Sequence, residues 1–510
     1  MRVSLLPENR AADEPFGDVD AVKTSWAHGP ILLGLLLCVI VTYYPVVSAT
    51  YGFTDDYYDL QDALMGGRNL WRHHVSEGRP LMGIMHVVLL PLAGTVNHLG
   101  WLRAINLASL CVLASAIYLA LCRLRFTSAL AAAFSLGVAA LPCFQICTAW
   151  AAMIAVPFAA AVAGAAAWLA LTLGGDLKPT TRLLRGGLAG VALLVLLMIY
   201  QPAGMFFWVV VAMSLLTSRR TVNAAIRKFS FCLAISVGSL IAEFIAFKIG
   251  TACYGASDVQ RAGLTRDGLG KVIWFLKKPL RNALNLDALH PSLDFAIIAA
   301  IFIVGGLVLY FAGSWKQRGA MLGIALVLIP LSYLPNLAAA DSYGPHRTQV
   351  ALTPLLAFYF FLALRGYLGA LQSFSRQSRK QLLLGVVSGW AIVSAFSARH
   401  NVIKYMTEPQ AIEYRLLKSQ LQKIEPAYAA TIYFIPAALS DRLTEFFCYD
   451  EFGTPSSFKV WAQEGMVKCG LREIGQDATG VKVASITTEQ LPQLPARAAV
   501  VDMRQLKQFR

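Results

Sequence analysis

A chain of 510 residues that is 57% hydrophobic and only 14% charged, with a mean hydropathy of +0.57, is too apolar for a soluble domain. Its apolar runs of about 17–25 residues have the length of bilayer-crossing helices, and their continuity, without the alternation of barrel strands, excludes a membrane β-barrel. The formal charge of +15 then reads as cytoplasmic loop lysines and arginines that orient the helices, with no basic patch or reading motif for nucleic acid.

The expected fold is therefore mostly α: a polytopic helical membrane protein with a small α/β domain after the last span. Residues 1–29 read as a cytoplasmic tail of mixed charge. With no small-residue cleavage site after a short apolar core, the first span reads as a retained anchor. About eleven spans are expected, near 30–50, 102–122, 127–145, 150–174, 186–201, 203–217, 229–250, 293–313, 320–338, 348–370 and 382–400. Leu81–Leu92 is apolar but short and reads as a re-entrant or interfacial element. Tyr200-Gln201-Pro202 interrupts a longer run and predicts a hairpin or kink near the outer surface.

Four basic clusters fall on one side when the spans alternate: Lys178/Arg182/Arg185, Arg219/Arg220/Arg227/Lys228, Lys316/Arg318 and Arg376/Arg379/Lys380. That side is read as cytoplasmic. The loops 51–80 and 251–292 then lie outside. In the second, Gly270–Leu280 reads as an amphipathic helix in the headgroup layer, anchored by Trp274, and the basic residues between Arg261 and Arg281 read as headgroup or phosphate contacts. Residues 403–510 read as the outer α/β domain, with strands near Thr431–Ile435, Val481–Ile486 and Ala498–Val501 and helices near Arg442–Phe447 and Val460–Lys468. Cys448 and Cys469, the two cysteines of this domain, are a disulfide candidate in an oxidising compartment.

The chemistry concentrates in Tyr51–Pro80, which groups Asp55, Asp56, Asp59, Asp62 and Glu77 with Arg68, Arg72, Arg79, two histidines and several aromatics. Carboxylates, guanidinia and aromatic faces are what hold a sugar beside a phosphate. Asp55 and Asp56 follow Thr54 at the start of a helical pattern, so they either cap that helix or supply a catalytic carboxylate that takes a proton from an acceptor hydroxyl. Arg79, Arg347, Arg68 and Arg72 are the candidates for a donor phosphate; for Arg347 at the mouth of a late span, snorkelling to lipid phosphates is the other reading. Tyr57, Trp71, Glu77, Tyr200 and Gln201 are candidates for binding substrate. Glu243 and Lys248, within or near the end of a span, read as bundle-interior partners or as functional groups. His73 and His74 show no metal-ligand spacing. A divalent cation, Mg²⁺ or Mn²⁺, bridging Asp55 or Asp56 to a phosphate stays open.

Asp55-Asp56 after the first span, Gly78-Arg79-Pro80, Leu141-Pro142-Cys143-Phe144, Tyr200-Gln201-Pro202 and Arg347 together carry a resemblance. The chain resembles the membrane O-antigen glucosyltransferases of bacteriophage serotype conversion (the Gtr group), related to glycosyltransferases of the C-type (GT-C) fold, over roughly residues 30–370. The resemblance implies transfer of a hexose, commonly glucose, from a polyprenyl-phosphate donor to a surface polysaccharide or its lipid-linked precursor, at the outer face of a bacterial inner membrane. The family pattern has an arginine a few residues after the acid pair; here Asp59 stands near that place and the nearest arginine is Arg68, which leaves the donor sugar open. The rival reading is a transporter or flippase for a lipid-linked glycan. That reading expects polar groups near the bilayer midplane in two related halves, whereas this chain concentrates charge beside its first span. A third reading, a membrane scaffold whose tail domain binds a partner, expects no loss on changing Asp55 or Asp56.

Overall fold

The computed structural model describes residues 28–172, 179–218, 221–254, 263–311, 313–424, 431–441, 443, 450–495 and 498–509. The tail before residue 28, Lys178, Arg219, Arg220, Arg261, Cys448 and nearly all of the expected helix Arg442–Phe447 lie outside the described residues.

The chain is mostly helical, with a small parallel sheet near its C-terminal end. Among the described residues seven helices are long and apolar enough to cross a membrane: His28–Ser48, Val96–Arg123, Thr180–Ile199, Val222–Tyr254, Leu293–Tyr310, Leu352–Ala370 and Arg376–Leu421. Ser128–Ala139 and Pro142–Ala149 would make an eighth, bent by 64°. Eleven spans were expected, and prolines and polar breaks account for much of the shortfall. Pro142 starts a new helix in mid-run, and Tyr200, extended at φ −157°, separates Pro179–Ile199 from Gln201–Gly204. Val156–Leu171 has 16 residues, and most of its alanines are buried against protein. Pro80–Ala93, with 14 residues, is about 21 Å long against a hydrocarbon core of about 30 Å, in keeping with a non-spanning element.

The turn out of the first helix is built by a buried arginine from the next long one. Arg103, fully buried, donates to the carbonyls of Val46 (2.6 Å), Ala49 (2.7 Å) and Tyr51 (2.9 Å). Its guanidinium lies 3.9 Å from the centre of the Tyr51 ring. Carbonyls at a helix C-terminus have no partner within the helix, and one planar fork of donors serves that of Val46 in the last turn together with those of Ala49 and Tyr51 in the turn beyond it.

Past the last of the long apolar helices the chain does not break at residue 403. Arg376–Val402 runs through a π-helical turn, Ile403–Thr407, into Glu408–Leu421. The sheet follows: β1 (Thr431–Ile435) is central, with β2 (Lys482–Ser485) and β3 (Ala499–Asp502) parallel on either side. These match the expected strands to within two residues. Parallel neighbours need a crossover, and the helix Val460–Glu473 lies in the connection from β1 to β2.

That helix ties the domain to the membrane part. It packs on Asp55–Leu64, and Gly465 sits at the crossing, where an added Cβ would lie 2.6 Å from the Tyr57 backbone. Leu60, Leu70, Val96 and Leu102 share one hydrophobic core with Tyr414, Ile432, Phe434 and Met466. The segment after the first span and the C-terminal domain are thus one packed unit.

Candidate active site

Thr54 is held at φ 39°, ψ −97°, a conformation that side chains avoid, just before the helix Asp55–Leu64. What fixes it comes from the C-terminal domain. The Thr54 N–H donates to Ser456 Oγ (2.9 Å), which itself donates to Gln410 Oε1 (2.7 Å). The N–H groups of Ser456 and Ser457 donate to the two oxygens of buried Glu413 (2.8 and 2.9 Å).

The two acids that follow have separate fates. Asp56 is fully buried, and both its oxygens are taken: Oδ2 accepts from Phe53 N–H (2.9 Å) and Oδ1 from Ala152 N–H (2.7 Å). Burial pushes its carboxyl up to about 7, against the pull of Arg103 and of those two N–H groups. Asp56 therefore clamps the 150–152 segment. Asp55 is half-buried and lines a cavity of about 1190 Å³; its Oδ1 accepts from Trp461 Nε1 at 2.8 Å.

Both phosphate candidates at the ends of hydrophobic helices reach the same cavity. The Arg347 guanidinium is stacked over Trp150 (4.4 Å to the ring centre), with Nη2 donating to Tyr343 Oη (3.1 Å) and Nε paired with Glu451 Oε1 (3.3 Å). Trp150 belongs to the segment that Asp56 clamps. Arg79 lies over Tyr200 (4.9 Å), its Nε donating to Gln201 Oε1 (3.1 Å) and its Nη1 paired with Glu77 Oε2 (3.2 Å). Tyr200 joins the two, since its hydroxyl donates to the Arg347 carbonyl (3.2 Å). Gln201 Nε2 meets the carbonyls of Glu77 and Gly78 and Glu243 Oε1, at 3.1–3.2 Å. Glu243 is thus a partner inside the bundle. Asp55 acts through its charge on both Arg347 and Glu451.

Four other candidates stand away from the cavity lining. Arg68 and Arg72, four residues apart on one helix, are exposed. Trp71 packs edge-on against Tyr254, with ring centres 6.0 Å apart. Tyr57 is buried under the C-terminal domain against Tyr414. Lys271, expected at the headgroups, is buried, donating to the Asp341 carbonyl (2.6 Å) and lying 4.5 Å from the centre of the Trp274 ring. Cys469 is a free, buried thiol whose Sγ approaches the Tyr57 carbonyl (3.7 Å).

Sequence reasoning missed the wall supplied by the C-terminal domain: Asp450, Glu451, Lys459 and Trp461. Burial pushes Asp450 up to about 7 and raises Glu451 as well. It also missed a group that could hold a metal, Asp59, His74 and His86, all buried and all on the cavity lining. An acidic pair amid soluble-type sequence (Asp450-Glu451) and a histidine in an apolar helix (His86) were the available signals. No protein-family model matches the chain, and no curated protein matches it.

Proposed function

We propose that this chain is a membrane glycosyltransferase that moves a hexose, glucose by the resemblance above, from a polyprenyl-phosphate donor to a surface polysaccharide or its lipid-linked precursor. The observation that carries the reading is one cavity lined by a half-buried carboxylate and by two guanidinia held over aromatic rings. The acceptor hydroxyl gives its proton to Asp55 as its oxygen bonds to the anomeric carbon. The bond from that carbon to the phosphate oxygen breaks, and its electrons leave with the phosphate. Arg79 and Arg347 stabilise that charge: each is fixed by two polar partners, and a guanidinium has five N–H groups to give. A Mg²⁺ or Mn²⁺ ion here would be held by Asp55, which lines the cavity, and would supply positive charge to the phosphate.

The proposed setting is a bacterial inner membrane, with the N-terminus cytoplasmic and the cavity and C-terminal domain periplasmic. Arg182 and Arg185, Arg227 and Lys228, and Lys316 and Arg318 support it, each pair near the start of a helix whose far end or following turn meets the cavity. With exposed Cys38 and Cys253 replaced, a cysteine at Arg68 or Arg72 should react with a membrane-impermeant thiol reagent in intact cells. One at Ser373 should not, and the reverse pattern would invert the orientation.

The test of the reaction is the purified protein in proteoliposomes with polyprenyl-phosphate [¹⁴C]hexose and a glycan acceptor. Labelled glycan should appear as polyprenyl phosphate is released. Glycan that crosses the bilayer unlabelled with every hexose donor would replace this reading by transport. In the same assay Arg347→Lys keeps the charge but loses the stacked fork, and turnover should fall roughly 100-fold with thermal unfolding little changed. Undiminished turnover would remove Arg347 from the donor site.

A further inference from the structure

Three consecutive short helices, Asp55–Leu64, Arg68–Ser76 and Pro80–Ala93, bring one side chain each to a common point. Close approach is possible because residue 83 is a glycine: a Cβ there would lie 3.0 Å from His74 Cβ. His86 Nδ1 is 3.0 Å from His74 Nε2 and 3.1 Å from Asp59 Oδ2. Its other nitrogen, Nε2, lies 2.8 Å from the Ala152 carbonyl, which only accepts, so Nε2 carries a proton.

That leaves one nitrogen facing two neighbours. If Nδ1 bears a lone pair, ionised Asp59 opposes it. If Nδ1 is protonated, its one N–H is shared between Asp59 Oδ2 and His74 Nε2. Protonated Asp59 and an Nε2–H on His74 would both donate to a single lone pair. A cation at the centre meets all three atoms at once, since each can turn a lone pair toward it. We propose that Asp59 Oδ, His74 Nε2 and His86 Nδ1 bind a divalent transition-metal ion, Zn²⁺ by the character of the donor set.

The spacing agrees. Bonds of about 2.0–2.1 Å in a tetrahedral site set ligand atoms roughly 3.3 Å apart, and all three atoms here lie within 4.8 Å of one another. Two imidazoles and one carboxylate suit Zn²⁺ better than Mg²⁺, which prefers oxygen. Orientation of a ligating imidazole by a carbonyl on its far nitrogen is the usual support for such a site. Here that carbonyl is on Ala152, the residue whose N–H donates to Asp56. Three protein ligands leave a fourth position, and because all three residues line the cavity it is open to an oxygen ligand from the solvent or from an occupant. The site stands on its own whether or not the chain transfers sugars.

The test uses the full chain in detergent, stripped with a chelator, incubated with ZnCl₂ at micromolar concentration and desalted before elemental analysis. About one Zn²⁺ per chain should remain. Asp59→Asn and His86→Ala should each weaken binding by at least about 10-fold, as loss of even an orienting partner can, while His73→Ala retains the ion. Because His86 is buried, the unaltered protein supplies a second readout: Co²⁺ loading should give the visible absorption of a four-coordinate site, and Zn²⁺ should raise the unfolding temperature reversibly with EDTA. Folded wild-type protein that keeps no Zn²⁺, or a folded Asp59→Asn variant that keeps as much as wild type, overturns the site.

Discussion

If Asp55 is the general base of the proposed transfer, Asp55→Asn should lower hexosyl transfer by roughly 100-fold or more and leave the fold in place. The amide keeps an oxygen to accept the Trp461 indole N–H, so the half-buried helix start loses no hydrogen bond; what disappears is basicity. Its neighbour behaves in the opposite way. In Asp56→Asn an NH₂ group must face a backbone N–H of Phe53 or Ala152, leaving a buried donor without an acceptor. The expected cost is about 1–3 kcal/mol, read as a lower unfolding temperature of the detergent-solubilised protein. The pair of variants separates two roles that adjacency conceals. An active Asp55→Asn beside an inactive but fully stable Asp56→Asn would exchange the assignments, and activity in both would end the general-base mechanism.

Arg103→Met is the substitution expected to destabilise the chain most. Three carbonyls lose their donor, those of Val46 and Tyr51 in buried hydrogen bonds and that of Ala49 in a part-buried one. Each such acceptor costs about 1–3 kcal/mol when buried and unmade, with the contact to the Tyr51 ring lost besides. Arg103→Lys should recover part of the loss, because an ammonium keeps the charge but cannot span all three oxygens. Denaturant unfolding in detergent checks both, and an Arg103→Met protein as stable as wild type would show that the turn after the first helix holds without this side chain.

The parts of the site legible in the sequence were those whose meaning is local. A charged segment after an apolar run, a proline break at Tyr200-Gln201-Pro202 and an arginine at the start of a hydrophobic helix each stand out without a partner. The errors came from treating that charged segment as a patch when it is two helices. Arg68 and Arg72 are one helical turn apart and share the solvent face; Leu70, His74 and Val75 lie buried. Composition cannot make that division, whereas the helical period can. Asp56 was read as a helix cap or a catalytic carboxylate and Tyr57 as a substrate contact; in the structure Asp56 clamps a backbone loop and Tyr57 supports a domain contact. Glu451 and Trp461, some four hundred residues from Asp55, were out of reach of any local pattern. The eleven expected spans compare with seven or eight helices of spanning length among the described residues, for a related reason. Apolar runs such as Val156–Leu171 are apolar because protein surrounds them, and hydropathy does not distinguish that from lipid.

The close fit at Gly465 has a consequence for how the molecule is made. The helix it belongs to closes the cavity, through Trp461, against a segment synthesised some four hundred residues earlier. Among the described residues, every helix long and apolar enough to cross a membrane precedes that helix in the chain. A nascent chain therefore holds Asp55 and Arg79 for most of its synthesis, and Arg347 from the time it is added, without the wall that encloses them, and premature termination anywhere before Trp461 yields an open groove. Completion of the enclosure is a final assembly step, set by chain order alone.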